Sequence, residues 1–193
     1  MPSHRWESKG HRDSGVVAVE TAIVSMLLFI LLVGVIESSL LFKDYLVVAA
    51  ATRAGARMGA SQPRISSGLD PAYFAQLAAN QVTNATAGLL PANLKQVWVY
   101  KASAATGLPD SGSFALGCTT CVKFTWSAGA LTPSYSNWPA SSQDACSGDA
   151  NRDSLGVYVQ YKHPSPLGFF FNGLILNQST VMLVEPTTAP ICK

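Results

Sequence analysis

From Gly15 to Phe42 the chain carries an almost unbroken apolar run, with a single carboxylate, Glu20, near its start and another, Glu37, near its end. No charged residue lies between Thr21 and Ile36. A helix from Val16 to Phe42 would be about 40 Å long, against ~30 Å for the hydrocarbon core of a bilayer. The run is therefore long enough to cross a membrane and to project beyond it. Gly34 is the only helix-weakening residue inside, and membrane helices tolerate glycine.

Glu20 is the residue an ordinary anchor does not explain. An ionisable side chain within a membrane segment costs roughly 2.5–3.5 kcal/mol on insertion scales. Gly15, ahead of the run, follows a polar leader that holds Arg5, Lys9 and Arg12 against Glu7 and Asp13. Cleavage after Gly15 would give Val16 an α-amino group, largely protonated at neutral pH. Glu20 would then be its counter-ion, within one chain or between neighbours. At ~4 Å and an effective dielectric near 20, such a pair gains about 4 kcal/mol before desolvation is counted. The competing reading is an uncut anchor in which Glu20 snorkels toward headgroups. Glu37, beside Ser38 and Ser39, reads as an edge-of-membrane carboxylate, with a packing role as the alternative. A cleaved secretory signal, cut within the small residues Val48–Ala56, is a further rival, although its apolar core would be unusually long.

Beyond Glu37 an apolar stripe continues through Leu40, Leu41, Tyr45, Leu46 and Val48, then passes into Ala49–Ala60, rich in Ala and Gly. Side chains this small let helix backbones approach closely. Gly34, Ala54, Gly55 and Ala56 are accordingly the candidate helix-packing positions, and the helix is expected to end near Ala60, before Gln62-Pro63. The division that follows is a leader over 1–15, a transmembrane and stalk helix over 16–60, and an exported domain over 61–193.

In the exported part, Asp70-Pro71 fits a helix start, and Tyr73 to Val82 gives a short amphipathic helix ending near Gly88. The period then changes to two, with strands expected at Val97–Tyr100, Val122–Trp126, Leu155–Tyr161 and Ser179–Val184. Ala128–Ser154 reads as turn-rich. The fold class is thus α+β: a long amino-terminal helix, a short helix and about four antiparallel strands. His163–Leu176, with Phe169, Phe170 and Phe171, is the most apolar loop and reads as core or core edge, with a sticky surface for another protein as the alternative. Trp126 and Trp138 read as packing residues.

All four cysteines, Cys118, Cys121, Cys146 and Cys192, follow the apolar run. An even count in a small domain reads as two disulfides with three alternative pairings, which places the carboxyl part in an oxidising space and the leader inside the cell. Zinc is disfavoured, because His163 is the only histidine beyond the first eleven residues. A redox role for Cys118-Thr-Thr-Cys121 would need a strand-to-helix turn that this region does not offer. Asp144, Asp149, Asn151 and Asp153 depart from the calcium-loop order and read as a solvated acidic loop. No nucleotide, nucleophile-elbow or metalloprotease motif is present, and a net charge of +2 with scattered basic residues gives no basis for nucleic-acid binding. Neither a catalytic residue, a cofactor, a metal site nor a small-molecule substrate is indicated.

Gly15-Val-Val-Ala-Val-Glu20, Gly34-Val-Ile-Glu37, the stretch Ala49–Ala60 and the closing Asn177–Pro186 together resemble the TadE family of pilus-assembly proteins, pseudopilin-like minor components of tight-adherence (Flp, type IVc) systems. The resemblance is dense over residues 12–60 and thin over 61–150. It implies a single-pass protein of the bacterial inner membrane with an extracytoplasmic carboxyl domain, cut after Gly15 by a prepilin peptidase. It makes Glu20 the family's glutamate at mature position five. Other pilins and the inner-membrane assembly platform are the implied partners, and pilus assembly, not catalysis, the implied role. The aromatic residue that often follows this glutamate in pilins is replaced by Thr21, and the cysteines have no counterpart in the family pattern. From a different class, an exported or membrane-anchored binding module outside any pilus is the alternative, followed by a secreted enzyme with an unseen site.

Overall fold

The computed structural model describes residues 13–65, 68, 70–146, 152–166, 168 and 173–187. The leader up to residue 12, Asp149, Asn151, Phe169–Phe171 and Cys192 lie outside the described residues, and with them part of the readings above.

Helix α1 runs Asp13–Ser61 without a break, about 73 Å at ~1.5 Å per residue. It has two halves of different character. From Val16 to Ile36 nearly every large apolar side chain is exposed, whereas Val48, Ala51, Thr52, Ala56 and Ala60 are buried. The second half packs on helix α2, Tyr73–Ala85, and on a five-stranded antiparallel sheet. What the sequence reads as a stalk is therefore one layer of the head.

The strands are β1 (Leu94–Ala102), β2 (Cys121–Ser127), β3 (Ala130–Ser136), β4 (Ser154–Lys162) and β5 (Ile175–Leu183), in the spatial order β3-β2-β1-β4-β5. The fold is the expected α+β, with one strand more than the four expected. The additional strand is β3, inside the stretch read as turn-rich. Ala128 and Gly129 both have positive φ and join Ser127 to its partner Ala130, the two-residue turn whose twist suits a hairpin. Pro133 masks the strand in the sequence. It is accommodated because β3 is an edge, where a missing N–H costs no ladder bond. Helix α2 starts at Tyr73, two residues after Pro71, with the Asp70 carboxylate accepting from the Ala72 amide at 2.8 Å.

One face of the sheet meets both helices through Phe74, Val82, Val97, Val99, Phe124, Leu155, Val157 and Val159. Trp138 belongs to this core, edge-on to Phe74 with ring centroids 5.3 Å apart. Trp126 packs against its margin. The other face is partly covered by the long β1–β2 connection, whose Phe114 stacks on Tyr158 at 4.3 Å and meets Tyr100 edge-on. In that connection Cys118 is bonded to Cys121, the first residue of β2. Cys146 is disulfide-bonded too.

Candidate functional site

The first turn of α1 contains the Gly15–Val16 peptide bond. Amides of a helix's first turn have no acceptor within the helix, and a side chain added at Gly15 would meet nothing within 4 Å. Val16, Val19 and Ile23 flank Glu20, which is exposed and lacks a hydrogen-bonding or ionic partner among the described residues. Gly15, Val16 and Glu20 thus share one end of a bare helix.

The junction between the apolar half of α1 and the head holds residues whose importance periodicity did not reveal. Glu37 is 1% exposed and Asp44 7%, although both sit on a helix that is otherwise bare on several sides. His163, directly after β4, is 2% exposed, and its Nδ1 lies 2.7 Å from Asp44 Oδ2. Ser165 Oγ donates to Glu37 Oε1 at 3.2 Å. Tyr161 packs in the same corner, and burial together with the nearby Asp44 carboxylate raises the pKa of its phenol. A buried charge persists only when paired or hydrogen-bonded, so these contacts fasten the β4–β5 connection to α1 two turns apart. Glu37, read in the sequence as an edge-of-membrane carboxylate, has a packing role against the head. In the sequence, an acid every seven residues on one helix face (Glu37, Asp44) was the available signal.

Higher on α1, the small residues serve the head itself. A Cβ at Gly55 would fall 2.6 Å from Val82 Cγ2 and 3.1 Å from the Ala78 carbonyl oxygen. One at Gly59 would lie 3.0 Å from Leu155 Cδ1. Gly55 and Ala56 are buried, and Ala54 and Gly34 half-buried. Close approach between helices is realised here inside one chain, between α1 and α2.

Around Cys118–Cys121, Asp110 accepts from the amides of Thr119 (2.9 Å) and Thr120 (2.7 Å) and from the Thr119 hydroxyl. Burial works against its charge, but these hydrogen bonds win and lower its pKa to about 2. Asp153 is not solvated. It is 4% exposed, paired with Lys101 at 2.7 Å, and accepts from the Asp144 amide. Among the described residues no three His, Cys, Asp or Glu side chains converge as a metal site requires.

Residues 15–57 match the family model described as TadE-like protein. The amino-terminal segment is TadE-like. No curated protein and no solved structure matches the chain. The TadE-like segment covers the whole bare half of α1 and most of the half that builds the head, stopping one turn short of the helix end. Asn177–Pro186, read in the sequence as similar to the family's closing strand, lies outside the match.

Proposed function

We propose that this chain is a non-enzymatic, pseudopilin-like component of tight-adherence pilus biogenesis, held in the bacterial inner membrane by the first half of α1 with its sheet on the extracytoplasmic side. The observation that carries this reading is the join of a TadE-like apolar helix, exposed over nearly all of its large side chains from Val16 to Ile36 and bearing at Glu20 a carboxylate with no partner among the described residues, to a head that buries the rest of the same helix. A prepilin peptidase would cut the Gly15–Val16 bond, which the weakly held first turn can present in extended form. Val16 then begins the mature chain, and its ammonium offers Glu20 of the same or an adjacent copy a counter-ion. Such pairing would set neighbouring helices in register during assembly with other pilins and the membrane platform. The bare faces of residues 16–36 supply the lateral contact, since Gly55 and Ala56 are already used within the chain.

A signal-peptide origin is opposed by the core. Val48, Ala51 and Ala56 are buried in the main hydrophobic cluster, so cleavage within Val48–Ala56 would strip a layer from the sheet. The anchored binding module outside any pilus is separated from the pilin reading by mass spectrometry of the mature amino terminus. Val16 as first residue is the expected result. Met1 as first residue overturns processing. Glu20→Ala is expected to leave the protein in the membrane and to abolish pilus output, whereas unchanged output overturns the pairing mechanism.

A further inference from the structure

The two ends of the head differ in how their charges are displayed. At the end next to the bare half of α1 lie the end of β4, the starts of β1 and β5, and the connection after α2. Lys43, Lys95 and Lys162 belong to this end and are exposed. Its two carboxylates, Glu37 and Asp44, are turned inward onto Ser165 and His163. The remaining described carboxylates beyond Glu20 (Asp70, Asp110, Asp144, Asp153 and Glu185) belong to the opposite end, where α1 finishes and β4 begins, and are interleaved there with Arg64, Lys101 and Arg152. Apolar side chains accompany the lysines: Phe42 is 61% exposed, Leu90 58% and Ile175 50%. An apolar groove of about 340 Å³ between α1 and β5, lined by Leu41, Phe42, Tyr45 and Leu176, opens beside them.

Depth along α1 places this end at a bilayer surface. With residues 16–36 in the hydrocarbon, Lys43 lies about 10 Å past the last of them. The headgroup layer reaches ~5–7.5 Å beyond the core on each side. Lysine stems extend several ångströms and carry the ammonium back toward phosphates. We propose that the lysine-bearing end of the head is a second membrane-contact surface, resting on anionic phospholipid headgroups with Phe42, Leu90 and Ile175 at the interface and Lys43, Lys95 and Lys162 on phosphates. The proposal rests on the reading that α1 spans the membrane. It adds that the head is seated on the membrane and does not swing freely from its anchor. Continuity with the span and charge complementarity select lipid over a second copy, because two such basic ends would repel.

The test uses the full chain in nanodiscs of phosphatidylglycerol or of phosphatidylcholine, with a fluorophore attached through Ile175→Cys and lipids spin-labelled at the headgroup as quenchers. Strong quenching is expected in phosphatidylglycerol, weakened by salt and by Lys43→Gln, Lys95→Gln and Lys162→Gln, each lowering the contact equilibrium about fivefold. Equal quenching in both lipids and in the triple variant overturns the proposal, as does its absence throughout. Energy transfer between labelled copies without lipid quenching also overturns it, and makes the surface a contact between copies. A label at Phe29→Cys, read against acyl-chain quenchers, separates the two levels. If it is not quenched, the spanning reading itself fails. If it is quenched and position 175 is not, only the seated head fails.

Discussion

His163 meets Asp44 across 119 positions of chain, and removing either partner would leave the other buried and unpaired. Leaving a buried hydrogen-bonding group without its partner costs about 1–3 kcal/mol. His163→Ala is therefore expected to lower the thermal midpoint of the full chain in detergent far more than Lys162→Ala, its exposed neighbour. Near-equal midpoints would remove the junction from the account. Asp110 gives a pH signature. Its pKa is depressed in the folded protein to about 2, so its contribution is fully present above the ordinary carboxylate range of about 4. It is lost as pH falls through about 2. In NMR titrations the Thr119 and Thr120 amide shifts should move near pH 2, and Asp110→Asn should abolish the movement. A titration midpoint near 4 would show that these hydrogen bonds do not hold the carboxylate.

Among the elements, α1 and α2 touch through glycine. Gly55→Ala forces its new methyl toward Val82 and the Ala78 carbonyl. Overpacking of this kind costs about 1–3 kcal/mol, despite the higher intrinsic helix propensity of alanine. Chemical denaturation should show destabilisation, and a neutral or stabilising result would mean that the helices sit farther apart. Within the sheet, Gly156 of β4 lies under the Tyr100 ring, where an added Cβ would approach Tyr100 Cζ to 2.2 Å. The glycine that weakens the strand in the sequence thus admits an aromatic ring from the neighbouring strand. The Cys118–Cys121 bond closes a short loop, for which the chain-entropy model gives about 2 kcal/mol. Its removal by paired serine substitution should loosen the Phe114 cover before it unfolds the sheet, read as earlier amide exchange over residues 103–120.

For the whole molecule, the head needs the second half of α1 and not the first. A chain beginning at Glu37 keeps the buried face of α1 that covers the sheet. One beginning at Gln62 exposes Leu155 and Val157, which lie against Gly59 and Gly55, to water, each costing about 1.5–3 kcal/mol. The first should be folded and soluble by circular dichroism and gel filtration, and the second unfolded or aggregated. Comparable folding of both would show that α1 is only a tether.

Local order was legible from the residues alone. A helix is announced by apolar content sustained over many turns, and the strands β1, β2, β4 and β5 by alternation, because both patterns repeat within a few positions. That Glu20 stands alone in an uncharged stretch is equally local, and so is the likeness of residues 15–57 to TadE. What tertiary structure decided concerns partners distant in the chain. It turned Glu37 and Asp44 inward onto Ser165 and His163, used the small face of Ala49–Ala60 within the head, and admitted Pro133 into a strand by placing it at an edge. Whether a carboxylate meets water, lipid or an imidazole depends on which surfaces the folded chain brings together, and that proximity has no counterpart in spacing along the sequence.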